Sequence, residues 1–458
     1  MLQNGLPQLY HRIKVSDQNG KGGAVMTNRM IKRKVFYIQL KLISPLSVSS
    51  GEDEWTDSDV LRDGTGRPFV AGSSLAGAMR AYLQKEKHES CLMGYSGAHG
   101  DGKMSSLFVS DLNFRKYEFT SVRDGVALND GKTAITGSKY EIEIIEAGAK
   151  GQFFMELTVR EQDDEQKMDS EIASIFRGIQ KGEIRLGCKK TRGFGECRLT
   201  FVNCKTYTSE NYLEYCQAYD RETDKNTDNE LDVWLAKVSE KAKMVHIEVP
   251  LKMKGGISIR QYAAKKNEPD FVQLTDHGKP VIPGSSFAGA IRHRIKEILE
   301  RLAENGTELP YNVQKIIDIS FGYVDGVKAC ASNIIISEAE IKGARPLTMM
   351  RTGVSRFESA VKDGALYKEK TYVDGELVLR LAIRKGVMPE DEKWILGILL
   401  LALKDLQNGF LAVGGQTAIG RGLFENNGAI LIDGQEGLEN QMIQESLKNM
   451  RVSGGKKA

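Results

Sequence analysis

The sequence has no uninterrupted apolar run of the roughly 18 residues that a membrane-spanning helix needs. It also has no apolar core of a secretion signal near its first residues, so we expect a cytoplasmic protein without a membrane partner. The six cysteines show no Cys-x-x-Cys spacing, which favours free thiols in a reducing compartment. The net charge is only +3, so any basic surface for nucleic acid must be local.

Glycine, in contrast, is abundant, with 47 of 458 residues, and a nine-residue motif that begins with glycine occurs twice. GSSLAGAMR spans 72–80 and GSSFAGAIR spans 284–292, and seven of the nine positions are identical. Each copy predicts a loop that runs into a helix, because glycine permits a close turn, serine can cap the first amides, and small residues pack tightly. Exposed N–H groups at such a helix start are a site for phosphate.

The repetition extends along most of the chain. Gly72 and Gly284 lie 212 residues apart, and Asp57 and Asp270 lie 213 apart. Farther along the chain the spacing is 227 residues, for Gly148 and Gly375 and for Gly187 and Gly414. One insertion of about 15 residues in the second half explains the change in spacing. Each half therefore holds an acidic loop, a Gly-Ser-Ser helix start, a central strand pair and a late glycine loop.

This order of elements predicts the α+β class, with two tandem ferredoxin-like domains of β-α-β-β-α-β type. A chain of this length is also long for a single core. We predict a flexible or partner-dependent arm at 1–33, a first domain at 34–205, a linker at 206–243, a second domain at 244–434 and a polar tail at 435–458.

The two glycine loops, 187–195 and 414–422, follow the pattern G-x5-G-x-G. Glycines bring backbone N–H groups close to a ligand, and Lys189, Lys190 and Arg192 add positive charge to the first glycine loop, so the pair predicts a cradle for a polyanion. Neither loop is a P-loop, since no Gly-Lys-Ser/Thr follows, and neither is a strand–GxGxxG–helix unit.

The acidic loops supply candidate catalytic groups. Asp57 lies 15 residues before Gly72, and Asp270 lies 14 before Gly284. A carboxylate beside a phosphodiester can position a divalent metal or orient a ribose 2′-OH for in-line attack. The alternative is that these residues are solvated loop acids, and for Asp63 and Asp276 turn formation is the better explanation.

At this point the chain resembles a known family. RPFVAGSSLAGAMRAYL, KPVIPGSSFAGAIRHRI and RTGVSRFESAVKDGALYKEKTYVDG are similar to motifs of the RAMP superfamily, in particular the backbone subunits of type III CRISPR–Cas effector complexes. Two copies in one chain resemble the tandem fusions of type III-D systems. The resemblance implies RRM-like domains with thumb-like hairpin insertions around 113–140 and 341–368, which grip CRISPR RNA and interrupt its duplex with target RNA.

The resemblance also implies roles for individual residues. Asp57 and Asp270 would cleave target RNA with a divalent metal ion, Mg²⁺ or Mn²⁺, and leave a cyclic phosphate, although Asp59 stays open as an alternative to Asp57. The other partners would be the remaining type III effector subunits. The implied RNA contacts are Ser73, Ser74, Arg80, Lys189, Lys190, Arg192, Gly193, Gly195, Ser285, Ser286, Arg292, Arg351, Arg356, Thr417 and Arg421.

Three alternatives remain at this stage. The chain could be a scaffold that binds guide RNA without cleaving, or a lone RNA-processing enzyme, which the lack of a positioned His–Tyr–Lys set disfavours. A serine hydrolase is disfavoured because neither serine motif is a G-x-S-x-G elbow. His88, Cys91 and His99 form a weak zinc candidate with loose spacing and no clear fourth ligand.

Overall fold

The computed structural model describes residues 28–49, 56–83, 90–96, 102–114, 120–129, 133–217, 228–238, 241–262, 269–326, 328–386 and 392–454. Over these ranges, no helix is both long and apolar enough to cross a membrane. They form two halves that share one architecture, as the duplicated sequence predicts.

The first half begins with one long strand and ends with another. Its elements are β1 (Met30–Leu42), β2 (Phe69–Val70), α1 (Gly72–Leu83), β3 (Tyr95–Ser96), β4 (Gly102–Lys103), β5 (Leu107–Val109), β6 (Leu112–Phe114), β7 (Thr120–Gly125), β8 (Tyr140–Ile145), β9 (Lys150–Arg160), α2 (Glu165–Gln180), a 3-10 turn (Lys190–Arg192) and β10 (Cys197–Tyr207).

Strand β1 is the centre of the first sheet. It pairs antiparallel with β10 on one side and β9 on the other, and β5 pairs with β9. The order β10-β1-β9-β5 is that of a ferredoxin-like sheet, so the predicted α+β class is confirmed. Because Met30 already pairs with Arg160, residues 30–33 belong to this sheet, and the predicted arm is corrected to end before them. Residues 1–27 of that arm lie outside the described part.

The linker prediction also needs correction, because part of 206–243 belongs to the first domain. Two short helices form there, α3 (Tyr212–Gln217) and α4 (Leu231–Leu235). The Trp234 side chain is only 3% exposed and meets the rings of Phe36 and Phe176 at centroid distances of 5.0 and 6.1 Å. Helix α4 therefore closes the first core over α2.

The second half repeats this order with additions. Its elements are β11 (Met244–Lys254), β12 (Gly256–Ile257), β13 (Arg260–Tyr262), β14 (Phe271–Gln273), β15 (Thr275–Asp276), β16 (Lys279–Ile282), α5 (Gly284–Glu304), α6 (Val313–Phe321), β17 (Tyr323–Asp325), β18 (Lys328–Cys330), β19 (Ile334–Ile336), β20 (Ala339–Glu340), β21 (Arg345–Arg351), β22 (Tyr367–Val373), β23 (Glu376–Arg384), α7 (Glu392–Gln407), a 3-10 turn (Thr417–Ile419), β24 (Leu423–Asn426), β25 (Leu431–Ile432) and α8 (Glu439–Gly454).

The second sheet has the order β19-β23-β11-β24, which is the order of the first sheet read from its other edge. Helix α6 occupies the position of the insertion that the spacing predicts. The polar tail predicted at 435–458 is wrong in its described part, because 439–454 form α8. This helix packs on α7, and the Ser446 hydroxyl donates to the Trp394 carbonyl oxygen at 3.1 Å.

Both predicted thumbs are antiparallel hairpins. The first thumb is β7 with β8, and the second thumb is β21 with β22. The hairpins overlap the predicted ranges but extend beyond them, because β8 ends at Ile145 and β22 ends at Val373. Within the described residues, the thumb strands contribute only Ile145 to the two main hydrophobic cores.

Candidate nucleic-acid interface

The two candidate catalytic aspartates make the same contact in their respective halves. The Asp57 Oδ2 accepts a hydrogen bond from the Glu141 backbone N–H at 2.7 Å, and the Asp270 Oδ2 accepts one from the Lys368 N–H, also at 2.7 Å. Glu141 and Lys368 both follow the tyrosine that begins the second strand of a thumb. Each aspartate is therefore fixed to a thumb at the end of its strand ladder that borders the connecting loop.

Both aspartates are exposed, so their carboxylates can be reached from solvent. Asp270 directly precedes β14, which runs parallel to β22 and holds the acid beside the thumb. Asp59 is different, because it is half-buried and its Oδ1 accepts from the Thr56 hydroxyl. The shared geometry makes Asp57, and not Asp59, the structural counterpart of Asp270.

The two glycine-initiated helices begin in very close packing. A Cβ at Gly72 would lie 2.4 Å from the Val109 carbonyl oxygen, and one at Gly284 would lie 2.2 Å from that of Ile336. Only glycine fits such an approach. The expected serine caps are wrong: the Gly72 N–H donates to Asp111, and no side chain caps α5 at Pro283.

The serines lie instead within the first helical turn, next to solvent. Ser73 and Arg80 are exposed and seven residues apart, so they share one face of α1, and Ser285 and Arg292 repeat this on α5. Each face thus offers hydroxyl and guanidinium donors to solvent. Ser74 is exposed as well, whereas Ser286 is half-buried.

The first glycine loop contributes fewer RNA-facing groups than its sequence suggests. Lys190 and Arg192 are exposed, and the Lys189 ammonium lies 3.9 Å from the Tyr140 ring centroid. Gly193 and Gly195 are buried, and a Cβ on Gly193 would meet the Glu338 backbone nitrogen at 2.8 Å. Both glycines are therefore withdrawn from the predicted RNA contacts, because their backbone packs against protein.

The second glycine loop is organised around a buried carboxylate. Glu369 is 1% exposed and accepts hydrogen bonds from the Ser258 hydroxyl and the Gln416 amide, each at 3.1 Å. Arg421, predicted to contact RNA, is instead buried and donates to the Thr371 hydroxyl at 3.0 Å, so we withdraw it too. Thr417 and Arg351 are half-buried, and Arg356 is exposed.

The sequence profile of the RAMP superfamily matches residues 39–198 and 249–425, one segment in each half. The chain belongs to the RAMP superfamily. The two matches coincide with the two ferredoxin-like halves, so this RAMP protein has two RAMP domains. Membership makes it a CRISPR-associated RNA-binding subunit. No curated protein matches its sequence.

In this RAMP protein, a divalent ion bound at Asp57 or Asp270 would need further ligands from water or from RNA. Within the described residues, neither aspartate belongs to a group of three ligand-type side chains, whereas Glu146, Asp276 and His277 place their ligand atoms within 4.8 Å of one another. Mg²⁺ is commonly held by one or two carboxylates, waters and substrate phosphates. A single exposed aspartate fits that mode when RNA supplies the phosphate oxygens.

The Glu146–Asp276–His277 group joins the two RAMP domains. The Asp276 Oδ2 accepts from the Ala147 N–H at 3.2 Å and lies 3.6 Å from the Arg123 guanidinium, while the His277 Nδ1 lies 3.0 Å from a Glu146 oxygen. The Arg123 guanidinium thus already supplies a positive charge beside the carboxylates of this group. The sequence indicated only turn formation for Asp276, but its carboxylate also contacts the first half. Asp63 does form its predicted turn, because its carboxylate accepts hydrogen bonds from the Thr65 and Arg67 N–H groups.

The zinc candidate gains no support from its one described member. Burial, followed by the nearby Glu171, raises the pKa of the Cys91 thiol to about 12, which opposes the thiolate form that binds zinc. His88 and His99 lie outside the described residues. The zinc site therefore stays a weak prediction.

Sequence reasoning missed Glu369 and Asp111. The repeat contained a signal for Glu369, because the spacing of 227 aligns it with the apolar Ile142 of the other half. A charged residue at a position that is apolar in its twin indicates a changed environment. Asp111 had no comparable signal, since its role depends on the fold around Gly72.

Proposed function

We propose that the chain is a CRISPR RNA-binding backbone subunit of a type III interference complex, similar to the type III-D fusions, and that it cleaves target RNA paired to the guide. Asp57 in the first RAMP domain and Asp270 in the second would each catalyse cleavage at one position of the target RNA. The observation that carries this proposal is their identical attachment to a thumb, at the end of the strand ladder next to the connecting loop. A hairpin that separates paired strands leaves a distorted nucleotide beside it, next to the acid.

The chemistry requires no covalent enzyme intermediate. The ribose 2′-OH attacks the adjacent phosphorus, the bond to the 5′-oxygen breaks, and the products are a 2′,3′-cyclic phosphate and a 5′-hydroxyl; the proton leaves the 2′-OH and ends on the departing oxygen. The aspartate would accept or orient the 2′-OH proton. A divalent ion held by the same carboxylate would supply charge neutralisation at the phosphate.

The RNA path we propose runs along exposed donors on both halves. Ser73 and Arg80 on α1, Ser285 and Arg292 on α5, and the two exposed cations of the first glycine loop would contact the guide backbone. Contacts to phosphate give affinity without base specificity and release counterions. Binding should therefore weaken as the salt concentration rises.

The test uses Asp57→Asn and Asp270→Asn, which keep an oxygen that can accept the thumb N–H but remove the charge. With guide and target RNA and Mg²⁺, the double variant should retain guide binding and lose cleavage, by about 100-fold or more. Asp59→Asn is the matched control, and its cleavage should stay at the wild-type level. Full cleavage by the double variant would refute the catalytic assignment.

One observation favours a second function, a scaffold that binds guide RNA without cutting. Each aspartate already has a structural task, because it holds the N–H that begins a thumb strand. If that is its only task, asparagine should preserve every activity, whereas alanine should loosen the thumb and weaken RNA binding. The comparison of Asn with Ala variants thus separates the two functions.

A further inference from the structure

The first thumb contacts the second RAMP domain through one hydrogen bond and one buried ion pair. The Gln261 side-chain amide, on β13, donates to the Val122 carbonyl oxygen of β7 at 3.0 Å. The Arg123 guanidinium, one residue farther along β7, donates to both carboxylate oxygens of Glu338, one of them at 3.2 Å. Both charged side chains are 6% exposed. The junction between the domains therefore contains charge that is shielded from water.

The Glu146–Asp276–His277 group lies beside this ion pair and takes its members from both halves. Glu146 directly follows the last residue of β8 in the first thumb, whereas Asp276 ends β15 and His277 lies in the turn to β16. The His277 Nδ1 lies 3.0 Å from the Glu146 Oε2 and 3.2 Å from the Asp276 Oδ1. The ligand atoms of all three residues lie within 4.8 Å of one another. An imidazole and two carboxylates thus face one another across the junction.

The two oxygens of Asp276 have different surroundings. Its Oδ2 accepts from the Ala147 N–H and faces the Arg123 guanidinium, whereas its Oδ1 faces the imidazole of His277. In a tetrahedral zinc site with ligands at about 2.0–2.1 Å, neighbouring ligand atoms lie about 3.3 Å apart. The separations of 3.0 and 3.2 Å from the His277 Nδ1 are close to this spacing. Small side-chain rotations would therefore let one ion contact all three residues.

The charge of the junction points to a cation independently of these distances. Glu146, Asp276 and Glu338 have side chains that are 13%, 7% and 6% exposed, and Arg123 lies among them. Three carboxylates and one guanidinium give this set of four side chains a net charge of −2. Buried charge is costly unless it is paired, so the set favours the uptake of positive charge. One divalent ion would neutralise it.

The duplicated layout does not contain this group twice. By the spacing of 213, His277 corresponds to Gly64, and by the spacing of 227, Glu146 corresponds to Val373. His277 has a φ of 48°, in the left-handed region that favours glycine. The second half thus carries an imidazole at a position where its backbone favours the residue of its twin. Both ligands are therefore specific to the junction and not part of the repeated features predicted to bind RNA.

We propose that Glu146, Asp276 and His277 bind one Zn²⁺ ion, which clamps the first thumb to the second RAMP domain. One imidazole nitrogen and two carboxylate oxygens are ligands that zinc accepts, with water as the fourth. Mg²⁺ prefers six oxygen ligands and keeps several waters, so it should bind here far more weakly. The His277 side chain is 36% exposed, which gives the ion a path from solvent. The clamp is separate from Asp57 and Asp270 and does not depend on the proposed nuclease function.

Calorimetric titration of the RNA-free full chain with Zn²⁺, after removal of metal by EDTA, tests the site. The wild type should bind one equivalent, and His277→Gly should weaken this binding by about 100-fold or more. Glycine suits the φ of this position and is the residue of the twin, so the variant should fold. Glu146→Gln keeps an acceptor for the His277 N–H and removes a charged ligand, and it should weaken binding in the same way.

Thermal unfolding separates a zinc ligand from a side chain that only supports the junction. Zinc at a hundredfold excess over Kd should raise the Tm of the wild type by about 4 °C and leave that of His277→Gly unchanged. In EDTA the two proteins should melt within about 2 °C of each other. A variant that is equally destabilised with zinc and with EDTA would overturn the proposal, as would an equal rise of the wild-type Tm with Mg²⁺.

Two control variants address the other zinc-type side chains. His293→Gln removes an imidazole 3.1 Å from Glu297, and Cys91→Ser removes the thiol of the weak zinc candidate; both should bind Zn²⁺ as the wild type does. X-ray absorption of the one-equivalent complex should show nitrogen and oxygen ligands at about 2.0–2.1 Å and no sulfur at about 2.3 Å. A sulfur ligand, binding that is lost only in Cys91→Ser, or a wild type that binds no zinc would each refute the clamp.

Discussion

Gly420 and Gly422 lie two residues apart in the second glycine loop, with similar φ angles of 80° and 75°. Their surroundings differ, because a Cβ on Gly422 would lie 1.9 Å from the Val413 carbonyl oxygen, whereas one on Gly420 would meet nothing within 4 Å. Gly420→Ala should therefore cost only the left-handed strain, about 1–2 kcal/mol. Gly422→Ala should cost about 1–3 kcal/mol more, as in overpacked cores.

Urea unfolding of the two alanine variants measures this difference directly. Both substitutions impose nearly the same backbone strain, so Gly420→Ala is the internal reference for Gly422→Ala. Equal midpoints for the two variants would show that close packing at the Val413 carbonyl does not determine the need for glycine here.

His246 should make the stability of the chain depend on pH. Burial lowers the pKa of this half-buried imidazole from the usual 6.5, against the opposing effects of Glu183, Asp433 and Glu196. A depressed pKa means that the unfolded chain takes up the proton first on acidification. The contribution of neutral His246 to stability is thus present above pH 6.5 and is lost as pH falls through the lower folded value.

The measurement is Tm between pH 7.5 and 5.5 for His246→Leu and for the wild type. The leucine variant should lose less Tm on acidification, since it has no buried proton acceptor. His293→Gln, which removes a partly exposed imidazole 3.1 Å from Glu297, should not reduce the loss in the same way. An unchanged Tm loss in His246→Leu would contradict the assignment.

At the scale of residues, the repeated spacing to the glycine motifs indicated that Asp57 and Asp270 are equivalent positions, and in the structure both accept a hydrogen bond from a thumb strand. The sequence could not predict that Gly193 and Gly195 are buried, since a loop that approaches a phosphate and a loop that approaches another domain use glycine for the same reason. The charged Arg421 was misassigned because its acidic partner, Glu369, lies 52 residues away in sequence.

Among the elements, α4 shows how far the first domain extends. Trp234 is buried against Phe36 and Phe176, whereas its neighbour Val233 is 61% exposed. Trp234→Ala should destabilise the chain by about 3–5 kcal/mol, as other large-to-small substitutions in cores do. Val233→Ala should change stability by no more than about 0.5 kcal/mol.

Differential scanning calorimetry of both variants gives the comparison. If the halves unfold in separate transitions, only the transition of the first half should shift in Trp234→Ala. A shift confined to the other transition, or none, would place α4 outside the first core.

The central strands were predictable as elements because each carries its own pattern of alternating apolar residues and turn glycines, whereas the thumbs were expected from the family resemblance. Helices α4 and α8 were not predictable in this way, because both segments are mostly polar. Their few apolar residues are buried only by packing against α2 and α7. Their stability comes from tertiary packing more than from propensity.

For the whole molecule, the duplication determines both the architecture and its asymmetry. The two halves are related in sequence, but their contact is not symmetric, because Arg123 of the first half pairs with Glu338 of the second. The first thumb thus reaches β13, next to the strand that follows Asp270, whereas the side-chain hydrogen bond described for Asp57 is to its own thumb. Sequence repetition indicates two equivalent acids, and only the fold shows that they stand in different surroundings.

The central claim is that Asp57 and Asp270 each cleave the target RNA at one position. The most direct test is to map the products of end-labelled target RNA after incubation with the chain, guide RNA and Mg²⁺. Asp57→Asn should abolish one cleavage position and leave the other, and Asp270→Asn should do the reverse. Cleavage at both positions by both single variants would contradict the account.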